Sequence, residues 1–395
     1  MMEKPVFVTE DVYWIGINDL ETELFEAIWP MPYGICYNSY LIKDEKVAIV
    51  DTVKKFFLPQ YVDKIKSILD GRTVDYLIVN HMEPDHSGAM KILREMFPGL
   101  CIVGNKKTAE YVKGFYGIDS NCMVVNDGEE LNLGKHILRF YLTPMVHWPE
   151  TMMTYDEKTG VLFSGDAFGS FGTLNGGIFD DEVNLSFFEN ETLRYFSNII
   201  GKYCDMVQKA LGKLKGLDIK IIASTHGPVF RKDPSYIVGL YDRWSRQETE
   251  RGVVIVYASM YGNTQIMAES IARSIASEGV ENIRLHNISR SHLSFILTDI
   301  WRFRGLVLGS STYNTRLFPP MEMLVSTLDN DRLRNRILGI FGCYSWSGGA
   351  VKALMEYAKG GLNRHIEPVV EAKFSPTEED LKSCVELGRN IAKAL

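Results

Sequence analysis

Residues 81–86 read His81-Met82-Glu83-Pro84-Asp85-His86, four potential metal ligands in six positions, directly after the apolar run Tyr76-Leu77-Ile78-Val79. A short apolar run bounded by polar turn residues reads as a buried strand. The ligands therefore sit at a strand-to-loop junction, where a rigid element fixes one end of the loop and the loop can turn several side chains onto one point. The same pattern recurs where Ala48-Ile49-Val50 runs into Asp51, Val161-Leu162-Phe163 into Ser164, and Ile219 to Ala223 into Ser224. Each of these strands delivers polar groups at its C-terminal end. Further candidates stand at comparable junctions: His147 in Pro144-Met145-Val146-His147-Trp148-Pro149, Asp166 in Ser164-Gly165-Asp166, and His226 in Ser224-Thr225-His226-Gly227-Pro228. Together these are four imidazoles and three carboxylates, enough donors for two metal ions. His136, His286, His292 and His365 have no comparable carboxylate company in the sequence and read as ordinary hydrogen-bonded histidines.

At 395 residues the chain exceeds one ordinary domain and suits two, each with its own core. The polar stretch Gln247-Glu248-Thr249-Glu250-Arg251-Gly252 marks the expected boundary, giving domains of residues 1–251 and 252–395. Beyond it the strands Val253 to Tyr257, Leu306 to Leu308 and Ile337 to Phe341 alternate with helical stretches, the mark of a doubly wound parallel α/β sheet. Acidic residues outnumber basic ones, 50 to 43, which argues against a nucleic-acid partner. No apolar run approaches the roughly 20 residues that span a bilayer. Met1-Met2-Glu3-Lys4-Pro5-Val6 lacks a secretory pattern and the six cysteines are scattered, so the expectation is a soluble, cytoplasmic protein with reduced thiols.

In the second domain Ala258-Ser259-Met260-Tyr261-Gly262-Asn263-Thr264 follows a strand and opens a helix near Thr264. Hydroxyls, an amide, a glycine and the free N–H groups of a helix start meet on this loop, as a phosphate dianion requires. The loop has no Lys and no Gly-x-Gly-x-x-Gly follows, so a monophosphate fits better than a nucleoside triphosphate or a dinucleotide. Two further strand-end loops stand in the right order for FMN at a flavodoxin-like switch point. Ser310-Ser311-Thr312-Tyr313-Asn314-Thr315 and Cys343-Tyr344-Ser345-Trp346-Ser347-Gly348-Gly349 offer aromatic faces (Tyr313, Tyr344, Trp346) and glycines that admit backbone N–H groups to the ring oxygens.

The set His81-x-Glu83-x-Asp85-His86, His147, Asp166 and His226 resembles the metallo-β-lactamase fold in the variant found in flavodiiron proteins, and the loops from Ser259 onward resemble the flavodoxin domain that follows in that family. The two resemblances cover nearly the whole chain. They imply an N-terminal metallo-β-lactamase-like αββα sandwich and a C-terminal flavodoxin-like sheet. Hydrolytic members usually have His at the position of Glu83 and bind zinc; a carboxylate there makes the site harder and favours iron. Two ferrous ions, three carboxylates and one bridging hydroxide sum to zero charge, tolerable in a low-dielectric cleft. By resemblance His81, Glu83 and His147 hold one iron, Asp85, His86 and His226 the other, and Asp166 bridges them. Some family members leave the His86 position unliganded. The segment Arg194-Tyr195-Phe196-Ser197-Asn198-Ile199 matches the family's stretch beside the metal pocket, which makes Tyr195 a candidate hydrogen-bond donor to substrate. Near Phe25-Glu26 many relatives have a pocket-capping His that is missing here.

The resemblance further implies an oxidoreductase with FMN and two non-haem irons that reduces dioxygen to water, nitric oxide to nitrous oxide, or both, working as a head-to-tail homodimer or a dimer of dimers. No Cys-x-x-Cys pair occurs, so the electron donor is expected to be separate, a rubredoxin or a reduced deazaflavin coenzyme. The rival reading is a dizinc hydrolase carrying a flavodoxin-like appendage.

Overall fold

A computed structural model describes residues 5–395 and divides into two compact units, Met1–Asp242 and Arg243–Leu395. In the first unit, seven strands form one sheet in chain order: β1 (Val6–Phe7), β2 (Val12–Trp14), β3 (Tyr40–Lys43), β4 (Val47–Val50), β5 (Tyr76–Ile78), β6 (Cys101–Gly104) and β7 (Cys122–Val124). Five more form the second sheet, again in order: β8 (Glu130–Asn132), β9 (Ile137–Leu142), β10 (Met152–Asp156), β11 (Val161–Gly165) and β12 (Ile221–Ser224). The central strands β3 and β4 are apolar and buried almost throughout, as expected where both faces of a sheet are covered. On β9 alternation puts Leu138 and Phe140 inside. One core joins the sheets face to face, with Val50, Ile78 and Val103 from the first and Phe140, Met152, Val161 and Phe163 from the second.

Helices α1 (Leu58–Leu69), α2 (Lys106–Tyr116), α3 (Leu185–Tyr195) and α4 (Cys204–Leu214) complete the sandwich. Helix α1 buries Tyr61, Ile65, Ile68 and Leu69 at helical spacing. The side chain of Asn105 caps α2 by accepting from the Lys107 and Thr108 N–H groups.

The second unit is a parallel sheet. Its strands are β13 (Glu250–Ala258), β14 (Ile283–Asn287), β15 (Phe303–Ser311), β16 (Ile337–Tyr344), β17 (Arg364–His365) and β18 (Val370–Lys373). The order is β14-β13-β15-β16-β17, with β18 also pairing β16, so the chain reverses direction across the sheet between β13 and β15. Helices α5 (Asn263–Ser277), α6 (Leu293–Arg302), α7 (Pro319–Asn330), α8 (Ala350–Ala358) and α9 (Glu378–Ala394) connect and close it. The polar run at 247–252 is part of this unit. Glu250 and Arg251 already belong to β13, and the buried Gln247 accepts from the Arg334 N–H through Oε1 at 2.7 Å. All six cysteines are free thiols. Among the described residues no helix is long and apolar enough to cross a membrane.

Candidate functional site

The C-terminal ends of β4, β5, β11 and β12 open toward one another, and the loop after β9 joins them. The Asp51 carboxylate, at the end of β4, accepts from the Asn80 N–H at 2.8 Å and the His81 N–H at 3.3 Å, holding the start of the ligand loop. Burial pushes its carboxyl up to about 6. Asn80 ties the loop to the second sheet, since its amide accepts from the Thr154 hydroxyl at 2.7 Å. The ligand loop itself turns through a single helical turn, Pro84–Ser87, with Pro at its start.

All seven candidate metal ligands are buried and fall into two groups, His81, Glu83, His147 and Asp166 in one and Asp85, His86 and His226 in the other, each group offering donor atoms within 4.8 Å of one another. In the first, Glu83 Oε2 lies 3.2 Å from both His81 Nε2 and His147 Nε2, and Asp166 Oδ2 lies 3.4 and 3.1 Å from the same nitrogens. In the second, His86 Nε2 lies 3.0 Å from His226 Nε2 and 3.3 Å from Asp85 Oδ2, and Asp85 Oδ2 lies 3.5 Å from His226 Nε2. Asp166 Oδ1 lies 3.0 Å from His86 Nε2, so one carboxylate faces both groups. Donors about 2.1 Å from one cation stand about 3.0–3.4 Å apart, and the separations of 3.1–3.4 Å in the first group and 3.0–3.5 Å in the second are close to that spacing. Both oxygens of the buried Asp85 lack a hydrogen bond, which is costly for a carboxylate with no cation. The donor set therefore fits two metal ions, and a mix of imidazole and three carboxylates suits iron.

The electrostatics of the protein groups alone lead to the same conclusion. Burial would lower His81, His86 and His147, but the facing carboxylates overcome it, holding His81 well above its usual range and His86 and His147 near 9. Burial raises Asp85 to about 7, and burial with the His86 charge depresses His226 to about 3. Protons on His81, His86 and His147 take the place of cations there, so metal binding at these imidazoles releases protons.

Behind the candidate ligands stand residues that the sequence did not single out. The Cys36 carbonyl accepts from His226 Nδ1 at 2.7 Å, and Glu150 Oε1 faces His81 Nδ1 at 2.8 Å. Glu150 had a signal, a carboxylate three residues after His147; Cys36 acts through a backbone group that no side-chain pattern reveals. Tyr195 lies beside the cleft, its ring centroid 5.4 Å from that of His226, and its buried hydroxyl has no hydrogen-bond partner. Burial, then the Asp166 and Glu83 charges, raise that phenol well above its ordinary range. Phe25 stands edge-on to His226 at 5.6 Å, and Glu26 Oε2 accepts from Trp29 Nε1 at 3.1 Å.

In the second unit the three loops named from sequence leave adjacent strands at one sheet edge, for Ala258 pairs with Ser310 and Ser311 with Cys343. Ser259 Oγ accepts from the Gly262 N–H at 3.0 Å, and Gly262, at φ +99°, precedes helix α5. Asn263 begins that helix and Thr264 follows, its hydroxyl 3.1 Å from Cys343 Sγ. Thr312 Oγ1 accepts from the Ala350 N–H at 3.2 Å, tying the second loop to the third. The Ser311 hydroxyl is buried without a partner. Met260, Tyr261, Tyr313, Asn314, Ser345, Trp346 and Ser347 are exposed around this edge, Tyr344 is half-buried, and Gly348 and Gly349 lead into α8. A helix start, an orphan hydroxyl and exposed rings on either side of the β13/β15 reversal fit FMN.

Residues 35–227 match the ODP family beta lactamase and residues 255–388 match flavodoxin. A nitric oxide reductase of Moorella thermoacetica is 35% identical over 396 residues, spanning 99% of both chains. The rubredoxin oxygen:oxidoreductase from the anaerobe Desulfovibrio gigas superposes with a TM-score of 0.94 at 30% identity, covering 99% of this chain and 98% of that one. The flavodiiron protein from Giardia intestinalis gives a TM-score of 0.93 at 28% identity over 100% of this chain and 97% of its own. Two ligand groups sharing one carboxylate, a flavin edge on a second sheet and full-length relatives agree: the chain belongs to the flavodiiron protein family.

Proposed function

We propose that this chain is a flavodiiron oxidoreductase that takes electrons from a rubredoxin-type donor, passes them through FMN to a diiron centre, and reduces dioxygen to water, nitric oxide to nitrous oxide, or both. The observation that carries this reading is the shared carboxylate: Asp166 turns one oxygen to His147 and the other to His86, as a ligand between two cations would. Two electrons from reduced flavin and two from a ferrous pair make the four that dioxygen needs, whereas two nitric oxide molecules need two. The protein's residues supply geometry and charge. His81, Glu83 and His147 would hold one ion and Asp85, His86 and His226 the other, with Asp166 facing both groups. Glu83, Asp85 and Asp166 would balance much of the metal charge inside a buried cleft, and Glu83, together with the flavin loops, weighs against the dizinc hydrolase. The Tyr195 hydroxyl, with no protein partner, is the donor available to a substrate oxygen.

On the flavin side, Ser259, Met260, Tyr261, Gly262, Asn263 and Thr264 cradle the phosphate at the start of α5. Ser311, Thr312, Tyr313 and Asn314, with Tyr344 to Gly349, surround the ring. A head-to-tail homodimer, or a dimer of dimers, would bring the flavin of one copy to the metals of the other, and the cytoplasm would keep the thiols reduced. A reduced deazaflavin coenzyme is the second donor to try, since no sequence feature separates it from rubredoxin.

The test is composition and turnover. Purified protein should be yellow and hold about two irons and one FMN per chain, and it should consume each gas with reduced rubredoxin. Running the same assay with a reduced deazaflavin ranks the donors, and light scattering gives the assembly. Zinc as the native metal, with no flavin and a hydrolytic activity, would overturn the reading.

A further inference from the structure

The imidazoles of the cleft are supported unequally on the side away from it. His226 donates from Nδ1 to a neutral carbonyl, that of Cys36. The Nδ1 of His86 is buried with no hydrogen-bond partner. His81, by contrast with His86 and His226, faces a carboxylate there, Glu150 Oε1 at 2.8 Å. Glu150 is fully buried, and the same oxygen also accepts the Met82 N–H at 2.9 Å. The Glu150 backbone carbonyl is held by the Asn105 side chain, the residue that caps α2, so the main chain that carries the carboxylate is anchored to a helix start. The Trp148 ring stands edge-on to His81 at 5.2 Å and limits rotation of the imidazole. With Nδ1 committed to Glu150, only Nε2 is left to bind, and it points at Glu83 and Asp166.

We propose that Glu150 is a positioning residue that fixes His81 as an Nε2 ligand and makes the ion held by His81, Glu83 and His147 the more firmly retained of the two. A carboxylate behind a ligating imidazole fixes its tautomer and orientation and raises its basicity, and losing such a partner typically costs about 10–100-fold in metal affinity. The second oxygen of Glu150 is buried without a partner, so the carboxylate is poorly accommodated unless positive charge lies just beyond the ring. A cation bound at His81 Nε2 supplies that charge. The other ligand group has no equivalent, since its two imidazoles have a carbonyl and no partner behind them.

This inference rests on the diiron reading, and the test separates the two. Iron would be withdrawn from the intact protein with a ferrous chelator, comparing wild type, Glu150→Gln and Glu150→Asp, with FMN content and thermal melting as controls. Wild type should release its irons in a fast and a slow phase of about one ion each. Glu150→Gln should speed the slow phase about tenfold or more and leave the fast phase within about twofold, while Glu150→Asp, which keeps the charge, recovers part of the retention. Two irons in wild type with an unchanged slow phase in Glu150→Gln, or equal acceleration of both phases, overturns the role of Glu150 and leaves the diiron reading standing. A wild type without an iron pair overturns both.

Discussion

Asp166 Oδ1 and His86 Nε2 face each other across 3.0 Å, while the other oxygen of Asp166 lies 3.1 Å from His147 Nε2. His86 therefore stands within the second ligand group, beside Asp85 and His226. Replacing it by Ala leaves that group one imidazole and the unbonded Asp85. We expect His86→Ala to hold about one iron per chain instead of about two, with FMN unchanged. Two retained irons would show that His86 is not a ligand.

Glu83 Oε2 is equidistant, at 3.2 Å, from His81 and His147 Nε2. Glu83→His removes one negative charge and exchanges a hard oxygen donor for a nitrogen that suits zinc as well as iron. The variant should keep fold and FMN, gain zinc at the expense of iron when both are supplied, and lose most gas reduction. Glu83→Asp should do less. Metal analysis and turnover of the two side by side decide the matter; two irons and near wild-type turnover in Glu83→His would refute the carboxylate argument.

The Tyr195 hydroxyl is buried and lacks a hydrogen-bond partner, an arrangement that costs about 1–3 kcal/mol of desolvation. Tyr195→Phe should leave stability unchanged or raise it by about 1 kcal/mol, while gas turnover falls about tenfold or more. Denaturant unfolding and steady-state rates give the two numbers. A loss of stability with unchanged turnover would mark a packing residue.

A Cβ on Gly349 would stand 2.1 Å from the Thr315 carbonyl oxygen, joining two of the flavin loops by a clash. Gly349→Ala should weaken FMN retention at least about tenfold, about 1.4 kcal/mol, and leave iron content alone. Flavin fluorescence during dialysis follows the first, metal analysis the second. Unchanged flavin retention would place the ring elsewhere.

His136 is fully buried between Asp156, 2.8 Å from its Nδ1, and Asp11, 3.4 Å from its Nε2, with the Lys158 ammonium at 3.1 Å and Asp44 on its backbone N–H. Burial would lower its pKa, but the carboxylates prevail and raise it above the usual 6.5. A raised folded-state value contributes stability that is complete below about 6.5 and fades as pH rises through the raised pKa. The melting gap between wild type and His136→Asn should therefore be wider at pH 6 than at pH 9. A gap that widens toward pH 9 would reverse the assignment.

His81, Glu83, Asp85 and His86 were legible in the sequence because one short loop carries all four and the strand before it fixes where that loop starts. The candidate flavin loops could be picked out for the same reason: each is a continuous run at a strand end, and strand–helix alternation orders them. Tertiary structure alone brought Asp166, after β11, within 3.0 Å of His86, after β5, because the two meet only where the ends of the two sheets close. It also decided what stands behind the ligands. Glu150 lies 69 residues from His81, and Cys36 lies 190 from His226. His136, which has no carboxylate company in the sequence, meets Asp156 and Asp11 in space. Hydrophobic periodicity reports which face of an element is buried, and residue spacing reports contacts within a turn or two. Hydrogen bonds across such separations depend on strand pairing and loop closure, which the whole packed core determines.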